Sequence, residues 1–170
     1  MTDSTNYTGV TGVHTKNGKP NGSTSITPFI VVNDPAAAIA FYETVFGAKA
    51  KSATEVDYEG NKIIVHADLD FGHGYLQLGA ATPAYRLVPP PGNGDACYSL
   101  AVYVPDVDRT LDLAVANGAT VREPAANFVS GDRYCSILDP YGVRWSVMTR
   151  VEDISEEESF RRVDEWSKSL

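Results

Sequence analysis

The histidines and cysteines of this sequence, the imidazoles and thiols that most often ligate transition metals or turn nucleophilic, are five: His14, His66, His73, Cys97 and Cys135. An imidazole can move a proton near neutral pH or ligate a metal. A thiol becomes a nucleophile only when its surroundings favour the thiolate. His14 lies in a stretch rich in Thr, Gly, Asn and Ser, and His73 lies in the Gly-rich turn from Phe71 to Gly74. His66 sits inside a β-branched apolar run and is the serious candidate. Two readings stay open for it: a half-buried strand histidine with one hydrogen bond, or a ligand-contacting or catalytic group. No Cys or Asp is expected beside it, so no nucleophile constellation forms there. Two cysteines are too few for a disulfide framework in 170 residues, and both are expected as reduced, mostly buried thiols. Arg133, in Gly131-Asp132-Arg133-Tyr134, is either a turn residue in a solvated charge pair or a contact for an anionic ligand.

These groups are positioned by a pattern that occurs twice. Ile26 to Asn33 is apolar and β-branched, and Asp34-Pro35 then supplies an N-cap and a first-turn proline. Ala38, Ile39, Phe41, Tyr42, Val45 and Phe46 form the apolar stripe of a helix that Gly47 stops. Strands follow at Lys49 to Asp57, Ile63 to Asp70 and Tyr75 to Leu78. After a stretch holding Pro83, Pro89, Pro90 and Pro91, the grammar restarts. Cys97 to Val104 reads as a strand, Asp106 as a cap, and Leu111, Leu113, Ala114 and Val115 as a helix face ended by Gly118. Strands are then expected near Thr120 to Glu123, from Arg133 to Leu138 and from Arg144 to Thr149. Asp34 and Asp106 are 72 positions apart, Gly47 and Gly118 are 71, and Asp70 and Asp139 are 69. A repeat this regular outranks local propensity as evidence about fold.

The expected fold is α+β. Two tandem βαβββ units form a cupped mixed sheet with helices outside, and a C-terminal helix follows. The boundaries are a flexible tail over 1–25, the first unit over 26–79, a linker over 80–96, the second unit over 97–150 and the final helix over 151–170. That helix opens with the capping box Ser155-Glu156-Glu157-Glu158 and carries Phe160, Val163 and Trp166 on one face. It needs cover, either from its own body or from a second copy.

Composition removes whole classes of function. A net charge of −8 disfavours nucleic acid as a partner, because phosphate binding needs basic patches. No apolar run approaches the roughly 20 residues that span a bilayer, so no membrane role is expected. The first 25 residues lack an apolar h-region and read as a tail, not a signal peptide, giving an expectation of a cytoplasmic protein.

Three features carry a resemblance to a known family. They are the doubled βαβββ pattern, the opening ITPFIVVNDPAAAIAFYETVFGA, and the closing GDRYCSILDPYGVRWSVMTRVEDISEEE. Together they resemble the vicinal-oxygen-chelate superfamily of glyoxalase I, bleomycin-resistance proteins, fosfomycin-resistance enzymes and extradiol dioxygenases, and within it the PhnB-like branch. The resemblance implies a hollow lined by the first and last strand of each unit, with His or Glu metal ligands at four places. Counted from the helix-opening and turn aspartates, those places are Thr27, Gln77, Ser99 and Ser146. None is a carboxylate, imidazole or thiolate, so no metal and no other cofactor is expected.

Strand alternation then assigns the lining. Phe29, Tyr75, Tyr103 and Arg144 are expected to face the hollow with the four vacated positions. Ile26, Ile30, Val32, Leu76, Leu78, Leu100, Val102, Val104, Trp145 and Val147 are expected to face the helices. Arg144 has a second reading, as the partner of a surface carboxylate. The lining and the four vacated positions point to a metal-free protein that binds an aromatic or amphipathic small molecule, and the resemblance, with the apolar face of the final helix, implies a homodimer. The alternative is a glyoxalase- or dioxygenase-like enzyme (lyase, isomerase or ring-cleaving) with non-standard site residues, and whether any reaction is catalysed stays open.

Overall fold

The computed structural model describes residues 8–170. Its first element is unexpected. Thr15–Lys16 (β1) and Lys19–Pro20 (β2) form a small antiparallel hairpin inside the segment expected as a loose tail. The turn between them is Asn17-Gly18, with φ of 50° and 76°. Asn-Gly is the strongest short hairpin signal, because both residues tolerate positive φ.

The first unit comprises β3 (Phe29–Val32), α1 (Pro35–Phe46), β4 (Lys49–Tyr58), β5 (Asn61–Asp70) and β6 (Tyr75–Ala80). The second comprises β7 (Leu100–Tyr103), α2 (Val107–Ala116), β8 (Thr120–Asn127), β9 (Asp132–Leu138) and β10 (Arg144–Arg150). Between them a 3₁₀ turn spans Pro83–Tyr85, and α3 (Glu156–Ser167) closes the chain. Each unit builds a four-stranded mixed sheet, in the order β3-β6-β5-β4 or β7-β10-β9-β8. In both, the first and last strands are parallel and the rest antiparallel. The tandem βαβββ architecture with a C-terminal helix is therefore present.

The caps act as their residue types dictate. Asp34 accepts from the Ala37 amide and Asp106 from the Arg109 amide, both at 3.0 Å. Ser155 accepts from the Glu158 amide at 3.2 Å. Gly47 ends α1 in the left-handed region, where a side chain would be strained.

The helix-facing side chains of both units merge into one core. Ile30, Val32, Leu76, Leu78, Trp145 and Val147 are all buried in it, while Leu100 and Val102 pack half-buried at its margin. Two expectations of burial need correction. Ile26 is exposed, because β3 begins only at Phe29, after Pro28, and Ile26 therefore lies outside the sheet. Cys97 is exposed for the same reason: β7 starts at Leu100, and only Cys135 is buried.

Aromatic residues stitch the units together. Tyr42 and Phe46 of α1 lie 5.3 and 4.7 Å from the Trp145 ring. Beneath them sits Asp139, only 3% exposed. It accepts from the Tyr42 hydroxyl at 2.7 Å, the Trp145 indole at 2.9 Å, and the Tyr141 and Val143 amides. Burial pushes its carboxyl above the usual range, and these four donors offset part of that cost. The DPYG turn thus does more than reverse the chain: its Asp clamps one unit to the other.

Helix α3 docks on its own body by one edge. The Ser159 hydroxyl donates to the Ser130 carbonyl at 2.9 Å, and Trp166 meets Phe128 edge-on at 5.0 Å. Phe160 points away from this contact and stays 65% exposed.

Candidate functional site

Six of the eight candidate positions line two separate depressions, or half-sites, one on each unit's sheet, while Phe29 adjoins the first and Tyr103 lies in neither. In the first unit, Thr27, Tyr75 and Gln77 line one depression of about 270 Å³ with Lys51 and Asp68. Residues 21–23, just after the hairpin, form its rim. Phe29 pairs with Gln77 across the β3–β6 ladder. The Thr27 hydroxyl lies 2.8 Å from that of Thr24. In the second unit, Ser99, Arg144 and Ser146 line a depression of about 240 Å³. The Ser99 and Ser146 hydroxyls stand 3.3 Å apart. Among the described residues, no hydrogen bond joins the two half-sites.

Tyr75 and Tyr103 meet elsewhere. Both line a cleft of about 370 Å³ where the edge of the second sheet approaches the first unit. Tyr103 is 59% exposed, and its hydroxyl donates toward Asp132 at 3.4 Å.

Asp68 is the residue that the sequence reading missed. It pairs with Gln77 across β5 and β6, so the two occupy neighbouring places on one face. The Gln77 amide donates to one carboxylate oxygen at 2.8 Å and the Ser52 hydroxyl to the other at 2.7 Å. Burial pushes the Asp68 carboxyl up, but these hydrogen bonds outweigh it and hold the group below the usual carboxylate range. His66 lies on the same face, with Nδ1 3.8 Å from the second Asp68 oxygen and its ring 5.8 Å from that of Phe29. The expectation that no Asp stands beside His66 is therefore corrected. The signal was present: residues two apart on a strand share a face.

Arg144 takes the ion-pair reading. It donates to Glu123 at 2.8 Å and to the Ser136 hydroxyl at 3.1 Å, and Tyr134 donates to the other Glu123 oxygen at 2.8 Å. Arg133 is likewise engaged, in a two-pronged pair with Asp108 at 2.6 and 2.7 Å. This pair is a surface feature and points at neither hollow.

The four family ligand positions offer three hydroxyls and one amide. Among the described residues, no three His, Cys, Asp or Glu side chains gather closely enough to hold a metal ion. The donor set here does not fit a divalent transition metal. Nor is any helix among them long and apolar enough to cross a membrane.

Comparison with known proteins agrees with this architecture. An uncharacterized protein of Mycobacterium tuberculosis is 30% identical over 141 residues, 81% of this chain and 81% of its own length. The PhnB protein from Bacillus cereus superposes with a TM-score of 0.57 at 18% identity, covering 74% of this chain and 99% of that one. A mutant of the fosfomycin resistance protein FosX from Listeria monocytogenes, complexed with Mn(II) and 1S,2S-dihydroxypropylphosphonic acid, gives 0.59 at 12% identity. It covers 83% of this chain and 98% of its own. At these identities the solved structures speak to fold alone. Residues 24–147 match the family described as Glyoxalase/Bleomycin resistance protein/Dioxygenase superfamily, so the chain belongs to that superfamily.

Proposed function

We propose that this chain is a small-molecule-binding protein of the glyoxalase/bleomycin-resistance type that works without a metal. It holds an aromatic or amphipathic ligand against the hollow faces of its sheets, as a homodimer. The observation that carries the reading is the chemistry of the four ligand positions. Thr27, Gln77, Ser99 and Ser146 are neutral, and each already exchanges a hydrogen bond with a neighbour on its own half-site. Such groups orient a polar edge of a ligand well and coordinate a metal poorly. Phe29 and Tyr75 supply aromatic surface beside Thr27 and Gln77. The experiment is a thermal-shift screen of aromatic natural products, followed by calorimetry on a hit. Tyr75→Ala should weaken that hit by about 1–3 kcal/mol, the usual cost of losing an aromatic anchor. Unchanged binding in Tyr75→Ala, or one tightly held metal ion per purified chain, would refute the reading.

One observation favours a second reading. Asp68 stands beside His66 on the hollow face, where a carboxylate can orient an imidazole to take a proton. An isomerase or lyase using that pair would lose turnover, and keep ligand binding, in His66→Gln.

A further inference from the structure

The cleft between the units is lined by four consecutive residues of β7: Leu100, Ala101, Val102 and Tyr103. Successive side chains of a strand point to opposite faces, so a cavity on one face would touch only alternate residues. A cavity touching all four lies beside the strand, off its edge. One edge of β7 is taken, since it pairs with β10 in parallel from Leu100 to Tyr103. The Val104 amide donates to the Met148 carbonyl at 2.8 Å, which fixes the alternation. In a parallel ladder, residues 100, 102 and 104 therefore spend their N–H and C=O groups on β10. Those of Ala101 and Tyr103 point off the free edge, into the cleft. Among the described residues no other strand pairs with that edge.

We infer that this edge is a binding site for an uncharged, extended, amide-bearing small molecule of di- or tripeptide size, held by strand addition to Ala101 and Tyr103. Three observations fix the class. The free groups recur every second residue, a spacing of about 6.6 Å that an extended peptide repeats on its own backbone. The volume of about 370 Å³ falls in the small-molecule range and is too small for a long strand. The walls are apolar, with Phe71, Leu76 and Trp145 among them, and no Asp, Glu, Lys or Arg lines the cleft. The Tyr75 hydroxyl and the His73 imidazole remain to orient the ends. The inference goes beyond the hollow reading, because Thr27, Gln77, Ser99 and Ser146 do not line this cleft.

The probe is N-acetyl-leucyl-phenylalanine amide, followed by amide NMR on the full chain. Saturable shifts should centre on Ala101 and Tyr103, and both amides should gain protection from hydrogen exchange. Ala101→Pro deletes one free donor without touching the ladder to β10, a substitution that sheet edges tolerate. It should weaken the probe about tenfold, as should methylating the probe's central amide nitrogen. The methylated probe decides the matter should Ala101→Pro fail to fold. No binding of the parent probe, or equal binding of the methylated one, overturns the proposal. Loss of binding in a Gln77→Leu/Ser146→Val variant with no loss in Ala101→Pro assigns the probe to the hollow and also overturns it. So does protection of both amides that grows with protein concentration before the probe is added, since a second copy would then cover the edge.

Discussion

Asp139 is a carboxylate almost without water, and four protein donors stand where the water would be. Removing one donor leaves a buried charge short of a partner, which costs more than a surface hydrogen bond would. Tyr42→Phe keeps the ring and its packing but deletes the hydroxyl. It should lower unfolding stability by about 1–3 kcal/mol in chemical denaturation, and a cost near zero would mean the clamp is not energetic. The cysteines make a second residue-scale case. Burial pushes the Cys135 thiol up to about 11, whereas Cys97 is exposed. A thiol reagent at pH 8 should modify one cysteine per native chain quickly, and Cys97→Ser should abolish that fast phase. Residue chemistry was only partly legible in the sequence. The neutral identity of Thr27, Gln77, Ser99 and Ser146 was readable outright. Asp68 was readable through its two-residue spacing from His66, but it was overlooked. That Arg144 would choose Glu123 depends on the β8–β9–β10 register, which no local pattern encodes.

At the scale of elements the sequence was clear wherever a residue type has one physical use. The Asp caps, the first-turn proline and the terminal glycine located both unit helices, and the repeat located the strands that follow them. What escaped was pairing. Asn17-Gly18 was a legible hairpin turn in a segment whose composition masked it, and the start of β7 at Leu100 was set by tertiary packing. Gly79 shows the same limit. Inside β6, a Cβ on Gly79 would lie 2.2 Å from the Val65 carbonyl oxygen and 3.1 Å from the Phe29 ring. Gly79→Ala must therefore displace backbone, and should cost about 1–3 kcal/mol and shift the Phe29 ring resonances. Helix α3 offers a pH test. Side-chain hydrogen bonds from Arg161 and Arg162 lower the Glu158 carboxyl from 4.5 to about 2. A depressed folded value means the contribution is present above pH 4.5 and is lost as pH falls toward about 2. The side chain is still 34% exposed, so salt should weaken the effect. The Glu158 carboxyl carbon should titrate near 2 by NMR and move toward 4.5 in Arg161→Gln/Arg162→Gln.

At the scale of the whole molecule, the two units turn their helix-covered faces toward one shared core and leave their hollows open. Tyr42 and Asp139, 97 positions apart, close that core within a single chain. The hollow of one unit and the hollow of the other are separate depressions, so neither alone encloses a ligand. A homodimer in which the first hollow of one copy meets the second hollow of its partner would complete both sites. This pairing can be tested without a structure of the complex. Gln77→Leu spoils the first half-site and Ser146→Val the second, and each homodimer should lose most of its affinity for a hit from the aromatic screen. Unfolding and refolding the two variants together lets chains assort. In a mixed dimer paired across chains, one site collects both lesions and the other collects none. About half of randomly assorted dimers are mixed, so about one quarter of wild-type sites should return. If each chain completes its own site, every site keeps one lesion and nothing returns. A calorimetric stoichiometry near zero in the mixture, from protein that light scattering shows to be dimeric, would therefore exclude pairing across chains.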